Sequence, residues 1–423
     1  PMPDGFTNIA VAQFAEIDAT GQLTVTQASQ ELSEWLFVAI QDQLNQFPDL
    51  NAFYRGPQEI GPVTGVDQDE RAANAEQKAT EHNATILLYG LAQPTDGQYQ
   101  AWPEFYVSRA GFGYGAEIAG ADRLGAPVTF TLPLLDDPLE ASQANQDLKA
   151  RRQVLQYVVI GLAYYYLGQA DRAYNAFDQA LFVPGWPAGQ GQEVIHMLKG
   201  AARLRTYGAK APTDRRERAL REANEAFATA YALEPGYARA HLGLAAVALA
   251  QAELICPQGQ PCPEKDLSGL REKLEEAAAW YSASLAAPDQ APSSYVPVKA
   301  DYGLGQVYLL GYWHNLWPAE AAKDYFQRVV DAAQANPTPD LRWFAGNAQA
   351  YLGLLAGDAG DYRAMADQLY QGIATLEDMP APANDWIALY WSWAALAEEK
   401  QSNIEQARSA YRQAIDHAER AGP

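Results

Sequence analysis

Five histidines (His82, His196, His241, His314 and His417) and two cysteines (Cys256 and Cys262) are the first places to look for chemistry in this chain. Glu193-x-x-His196 has the spacing of half a di-iron site on one helix face, but that chemistry needs a second such motif and further carboxylates. Only one is present. The sequence contains no His-Glu-x-x-His, no Gly-x-Ser-x-Gly and no Gly-Lys-Ser/Thr phosphate loop. Gly111-Phe-Gly-Tyr-Gly-Ala116 partly matches a dinucleotide turn, yet Gly120, Gly125 and Pro127 leave little room for the helix that would hold the pyrophosphate. It reads as a glycine-rich loop. An enzymatic pair of acids near Asp136 and Asp137 is a third reading behind two non-catalytic ones. No catalytic residue, cofactor or metal is therefore expected, and the chain reads as a non-enzyme.

Two other groups could bind rather than react. Cys256 and Cys262 flank a Pro/Gly loop with no histidine or third cysteine nearby, which is too few ligands for structural zinc. They either close a small disulfide or stay as two thiols. A disulfide would argue for an extracytoplasmic compartment and free thiols for the cytoplasm. Tyr312, Trp313, His314 and Trp317 form the densest aromatic cluster. They are either a plug between neighbouring elements or an exposed binding patch.

Charge and hydropathy narrow the partners. With 52 acids against 30 bases the net charge is −22, so the average field repels phosphate backbones and anionic membranes. Nucleic acid is not expected as a partner. Mean hydropathy is −0.29, and no apolar run approaches the roughly 18 residues of a membrane span. The start PMPDGFTNIAV has no basic region and no long apolar segment, so no secretory leader is read there. At 48% apolar residues the chain has ample material for packed cores.

The elements that would position these residues fall into two regions, 1–140 and 141–423. In the second, a small residue and an aromatic alternate at fixed spacing across helix pairs. First-helix positions include Gly161/Tyr164, Gly200, Leu242-Gly243, Leu304-Gly305-x-x-Tyr308, Ala348/Tyr351 and Trp391/Ala395. Second-helix positions include Ala173/Phe177/Ala180, Ala223/Phe227/Ala230, Ala277/Tyr281/Ser284, Ala322/Phe326/Val329, Ala366/Tyr370/Ile373 and Ala407/Tyr411/Ala414. Prolines follow at 184, 235, 288, 337 and 380. This pattern is similar to the tetratricopeptide repeat (TPR) family, and about six hairpins in an α-helical solenoid are expected. Lengthened joins at Gly208–Thr213, the cysteine loop, Gly311–Pro318 and Gly357–Asp361 would project from one edge. Repeat register places Tyr165, Tyr237, Tyr302, Gln306, Arg342 and Gln349 in the groove.

The first region alternates strand and helix. Strands are read at Ile9–Phe14, Leu50–Arg55, Thr85–Gly90 and Tyr99–Ser108, with an edge strand from Pro127 to Leu135. Helices are read from Ser29 or Glu31 to Phe47 and from Asp67 to His82. This small α/β sandwich loosely resembles a TolB-like amino-terminal domain, through IAVAQF, LSEWLFVAI and ATILLYG. The resemblance implies a non-catalytic adaptor. The whole reads as a protein- or peptide-binding scaffold or sensor module, part of a larger receptor, with acidic rims favouring basic partners. The alternative is a soluble receptor for a small molecule or glycan held by stacking on Trp and Tyr.

Overall fold

The computed structural model describes residues 1–18, 20–108, 118–134, 145–186, 191–207, 212–257, 261–287, 295–379 and 384–421. The chain divides into two compact units, Pro1–Val247 with Ala287–Ser294, and Ala248–Ala286 with Tyr295–Pro423. The glycine-rich run 111–116, Asp136, Asp137, Pro288 and Pro380 lie outside the described residues.

The first unit begins with a sheet in the order β4(Ala52–Arg55), β1(Thr7–Val11), β5(Ile86–Thr95), β6(Gln98–Val107), β7(Gly120–Arg123), with β8(Val128–Phe130) also paired to β6. β1 runs parallel to β4 and β5, and the remaining pairings of this sheet are antiparallel. The parallel pairs require crossovers, supplied by α1(Gln27–Leu44) and α3(Gln68–His82). A single helical turn, α2(Pro57–Ile60), sits between β4 and α3, and a short ribbon of β2(Glu16–Ile17) and β3(Leu23–Thr24) precedes α1. The Ala/Glu-rich α3 starts at Asp67, whose side chain accepts from the Glu70 amide at 2.8 Å, and stops at Asn83 in the left-handed region. Its alanine stripe, Ala72, Ala75 and Ala79, is buried against Ala10, Leu87, Tyr89 and Tyr106. Sequence periodicity located β1, β4, β5, β6, β8, α1 and α3, but neither the short β2, β3 and α2 nor β7, whose Gly-Ala-Asp-Arg carries no β-branched or aromatic residue.

Helices fill the rest of the unit: α4(Gln146–Tyr166), α5(Ala170–Leu181), α6(Gln192–Arg205), α7(Thr213–Leu233) and the first part of α8(Ala238–Ile255). Neighbours in sequence pack as antiparallel pairs, α4 on α5 and α6 on α7. The small residues of the repeat pattern permit this approach. A Cβ on Gly200 would sit 2.8 Å from the Phe227 ring, below any ordinary contact distance. α4 also packs on α1, where Arg152 lies 4.0 Å over the Trp35 ring and Gln156 donates to the Ala39 carbonyl at 2.7 Å.

The second unit contains the end of α8, then α9(Leu267–Ala286), α10(Val296–Trp313), α11(Ala319–Ala335), α12(Pro339–Asp358), α13(Tyr362–Glu377), α14(Asn384–Lys400) and α15(Ile404–Ala421). The same rule holds: a Cβ on Gly305 would lie 2.6 Å from the Phe326 ring. These antiparallel pairs form a TPR-like helical repeat fold behind a small α/β region. Two joins expected to be long are short. α10 continues through Gly311, Tyr312 and Trp313, and α12 through Gly357 and Asp358. No proline lies at 311–313 or 357–358, and each glycine faces a packed side chain, Trp317 for Gly311 and Met365 for Gly357.

Candidate functional site

An open cavity of about 850 Å³ in the second unit gathers side chains from α10, α12 and α14, from the start of α9 and from one loop. Trp313 and His314 come from the end of α10, Tyr351 from α12, and Trp386, Leu389 and Trp393 from α14. The α14 residues follow an i, i+3, i+7 stripe, which places them on one helix face. Tyr390 holds the two indoles in place. It is fully buried, with ring centroids 6.1 Å from Trp386 and 5.7 Å from Trp393, and its hydroxyl donates to Asn347.

The cysteine loop borders this cavity. Cys256 and Cys262 form a disulfide with their Cα atoms 5.1 Å apart, and Pro261 and Cys262 line the opening. The imidazole of His314 hydrogen-bonds the Cys256 backbone, so the loop and the α10 terminus are tied together. Burial lowers the His314 pKa, opposed by that bond. Among the described residues its Nε2 is buried without a hydrogen-bond partner. Trp313 donates from Nε1 to Asp358 at 3.2 Å, which fixes the indole orientation while its face remains partly exposed.

The aromatic cluster read from sequence therefore separates. Trp313 and His314 face the cavity, whereas Trp317 packs on Gly311 and on Tyr308, with centroids 5.1 Å apart. Tyr312 is half-buried, its hydroxyl pKa raised by burial and then by Asp358 and Glu320. The groove residues are scattered. Tyr165 is fully buried, and Tyr237 is buried with its hydroxyl donating to Asp122 at 2.9 Å. Tyr302 is buried among Phe326, Trp343, Phe344 and Tyr351. Gln306 hydrogen-bonds the Tyr351 side chain, so these last two support the cavity wall from behind. Arg342 pairs with Asp378 at 2.7 Å, and Gln349 accepts from Thr375 at 3.3 Å. Trp386, Leu389 and Trp393 were missed. The signal was present as the stripe in DWIALYWSW, but Trp391 drew the repeat alignment instead, and it packs on Tyr370.

Buried charge elsewhere is spent on structure. Glu104 accepts from Arg71 at 3.0 and 2.7 Å and from Arg123 at 3.0 Å. Asp122, on the next strand, pairs with Arg239 and Tyr237. Each carboxylate is neutralised by guanidinium groups, the arrangement of an ion-pair network. The Glu193–His196 turn is buried enough that the His196 pKa is pushed down to about 4 by desolvation and then by Lys199. Among the described residues no group of three or more His, Cys, Asp or Glu side chains could hold a metal, and no helix is long and apolar enough to cross a membrane.

No family model matches the chain, and no curated protein matches it. Among solved structures, a monomeric mutant of IFIT1 with m7Gppp-AAAA aligns with a TM-score of 0.40 and 14% identity. The alignment covers 64% of this chain and 57% of that one, so the chain spans little more than half that neighbour's length. The expectation that excluded nucleic acid as a partner is corrected on this finding, because that neighbour carries a capped oligonucleotide. The physical reason is that −22 is an average, whereas binding responds to local charge. Arg172, Arg203, Arg205, Arg215 and Arg218 line a single cavity in the first unit. At the level of fold the chain is a stack of helical hairpins following a small α/β region.

Proposed function

We propose that the chain is a non-enzymatic binding scaffold whose second unit takes an extended peptide segment of a partner protein. An apolar or aromatic side chain of that segment seats among Trp313, Tyr351, Trp386, Leu389 and Trp393. The observation that carries this reading is the convergence of three indoles from two helices around one open cavity of about 850 Å³. Rigid aromatic side chains bury much apolar area at low entropic cost, which makes them the usual anchors of an interface. A backbone N–H of the segment would donate to His314 Nε2, the ring nitrogen left to accept once the other donates to the Cys256 backbone. The strand and helix order of the first region supports a TolB-like adaptor, and with it the role of a sensor in a larger receptor.

Selection from a random peptide display library, followed by titration of intrinsic tryptophan fluorescence, tests the assignment. Trp386→Ala with Trp393→Ala should weaken any selected peptide by about 30-fold or more, the size of a hot-spot loss. The proposal fails if selected peptides bind the double variant as tightly as the natural chain. It also fails if a glycan array yields saturable ligands where the peptide library yields none.

A further inference from the structure

The first unit contains a second cavity, of about 580 Å³, whose chemistry is opposite to the first. Five of the thirty basic residues of the chain line it, against one aspartate and one glutamate, a local excess of three positive charges. In a chain of net charge −22 this concentration runs against the composition.

The five arginines are not equivalent. Arg203 already holds both acids of the cavity, Asp171 at 2.7 Å and Glu222 at 2.6 Å, with its guanidinium 3.6 Å over the Tyr174 ring. Arg172 pairs with Asp49 and bonds Gln169 at 2.9 Å. Arg205 lies 4.6 Å over the ring of the fully buried Tyr165, which pins it. Arg215 and Arg218, three apart at the start of α7, are exposed. No carboxylate among the described residues lies in ion-pair range of either. The cavity thus has a neutralised floor and an unneutralised wall.

We propose that this cavity binds a small oligophosphate, its phosphoryl oxygens gripped by Arg215 and Arg218. The planar guanidinium fork matches a phosphoryl group through paired N–H···O bonds. The first turn of α5 lines the same cavity through Ala170 and Asp171, and a helix N-terminus adds partial positive charge there. The acids that would otherwise repel the ligand are committed to Arg203. A volume of about 580 Å³ suits a few phosphoryl groups rather than a polymer. The site is independent of the aromatic cavity.

Calorimetric titration of the full chain with tripolyphosphate is the test, run beside a nucleoside triphosphate, citrate and a short single-stranded oligonucleotide. Saturable tripolyphosphate binding is expected. Arg215→Gln with Arg218→Gln should weaken it by about tenfold for each guanidinium removed. Arg221→Gln, on the same helix but paired with Glu217 at 4.0 Å and outside the cavity, should leave it unchanged. Both substituted arginines are exposed, so the melting temperature should not move. Equal affinity for the nucleoside triphosphate identifies the triphosphate chain alone as the ligand, and tighter binding adds a nucleoside to it; both support the site. Any of three results overturns it: no saturable binding, an unaffected double variant, or citrate as tight as tripolyphosphate. A fourth, an oligonucleotide far tighter than either small phosphate, would assign the surface to a polymer instead.

Discussion

Gly305→Ala tests the packing rule on which the second unit depends. A methyl group at this position would lie 2.6 Å from Cε1 of Phe326, about 1 Å inside the ordinary carbon–carbon separation. The Phe326 ring cannot simply retreat. It is fully buried, and it stacks on Tyr351 with centroids 5.0 Å apart and planes 22° from parallel. Overpacking of this kind costs about 1–3 kcal/mol, from which the better helix propensity of alanine returns about 1 kcal/mol. Because the ring cannot retreat, the upper part of that range, about 2–3 kcal/mol, applies, so a net loss of about 1–2 kcal/mol follows, or a fall of roughly 2–8 °C in the melting temperature of a unit this size. Thermal unfolding followed by circular dichroism reads it directly. Phe326→Leu in the same chain should relieve the clash, so the two substitutions should couple by more than about 0.5 kcal/mol. Gly269→Ala is the control, because among the described residues its methyl group would meet only Ile255, at 3.7 Å. It should be neutral or slightly stabilising. A Gly305→Ala chain as stable as the natural one, or additive with Phe326→Leu, would refute close helix approach as the reason for glycine here. Because Phe326 stacks on a wall of the aromatic cavity, the same substitution should also weaken any peptide bound there.

Two further predictions concern buried charge in the first unit. Glu104→Gln strands the Arg71 guanidinium, which is only 2% exposed, and should cost about 3–5 kcal/mol by urea unfolding. Replacing both partners, Arg71→Met with Glu104→Leu, should recover most of that loss, and a double variant as weak as the single one would contradict it. His196 should make stability pH-dependent, because its folded pKa of about 4 lies below its ordinary value of 6.5. The unfolded chain takes up a proton that the folded chain refuses, so stability is full above pH 6.5 and is lost as pH falls toward 4. After allowance for partial solvent access the loss is about 1–2 kcal/mol. Glu193, whose pKa burial raises, acts in the opposite direction at the low end of this window. Comparing His196→Asn with the natural chain isolates the histidine, and identical pH profiles for the two would refute the assignment.

How much of this was legible in the sequence follows from what repeats. Gly305 and Phe326 belong to a pattern that recurs from hairpin to hairpin, so the close helix contacts could be read before any coordinates. Asp67 likewise announced the start of α3 through side-chain chemistry that acts within a few residues. The site was harder because it is not a repeated feature. Trp313 stood out by density, but its partners Trp386 and Trp393 lie more than seventy residues away on α14. Only the stacking of helices brings them together. Tyr302 and Tyr165 show the converse error: repeat register placed them in a groove, and an aromatic ring at a register position also suits filling the space between helices. The arginine cavity was invisible for a different reason. Arg172, Arg203 and Arg215 fall on three helices, and a sum over the whole chain concealed them behind an acidic total.

Both cavities use the same construction principle. The glycines and alanines that let paired helices approach fix the spacing of the stack, so the residues at helix ends and on first-helix faces can vary without cost to the core. In the second unit those free positions carry indoles, and the disulfide loop is tied to them through His314 and Cys256. In the first unit the equivalent freedom at the ends of α5, α6 and α7 carries guanidinium groups, two of them with their acids already in place. On the proposed readings, an apolar anchor in one compact unit and an anion grip in the other would let a binding scaffold read two features of its surroundings independently. Substitution at either cavity should therefore leave affinity at the other unchanged.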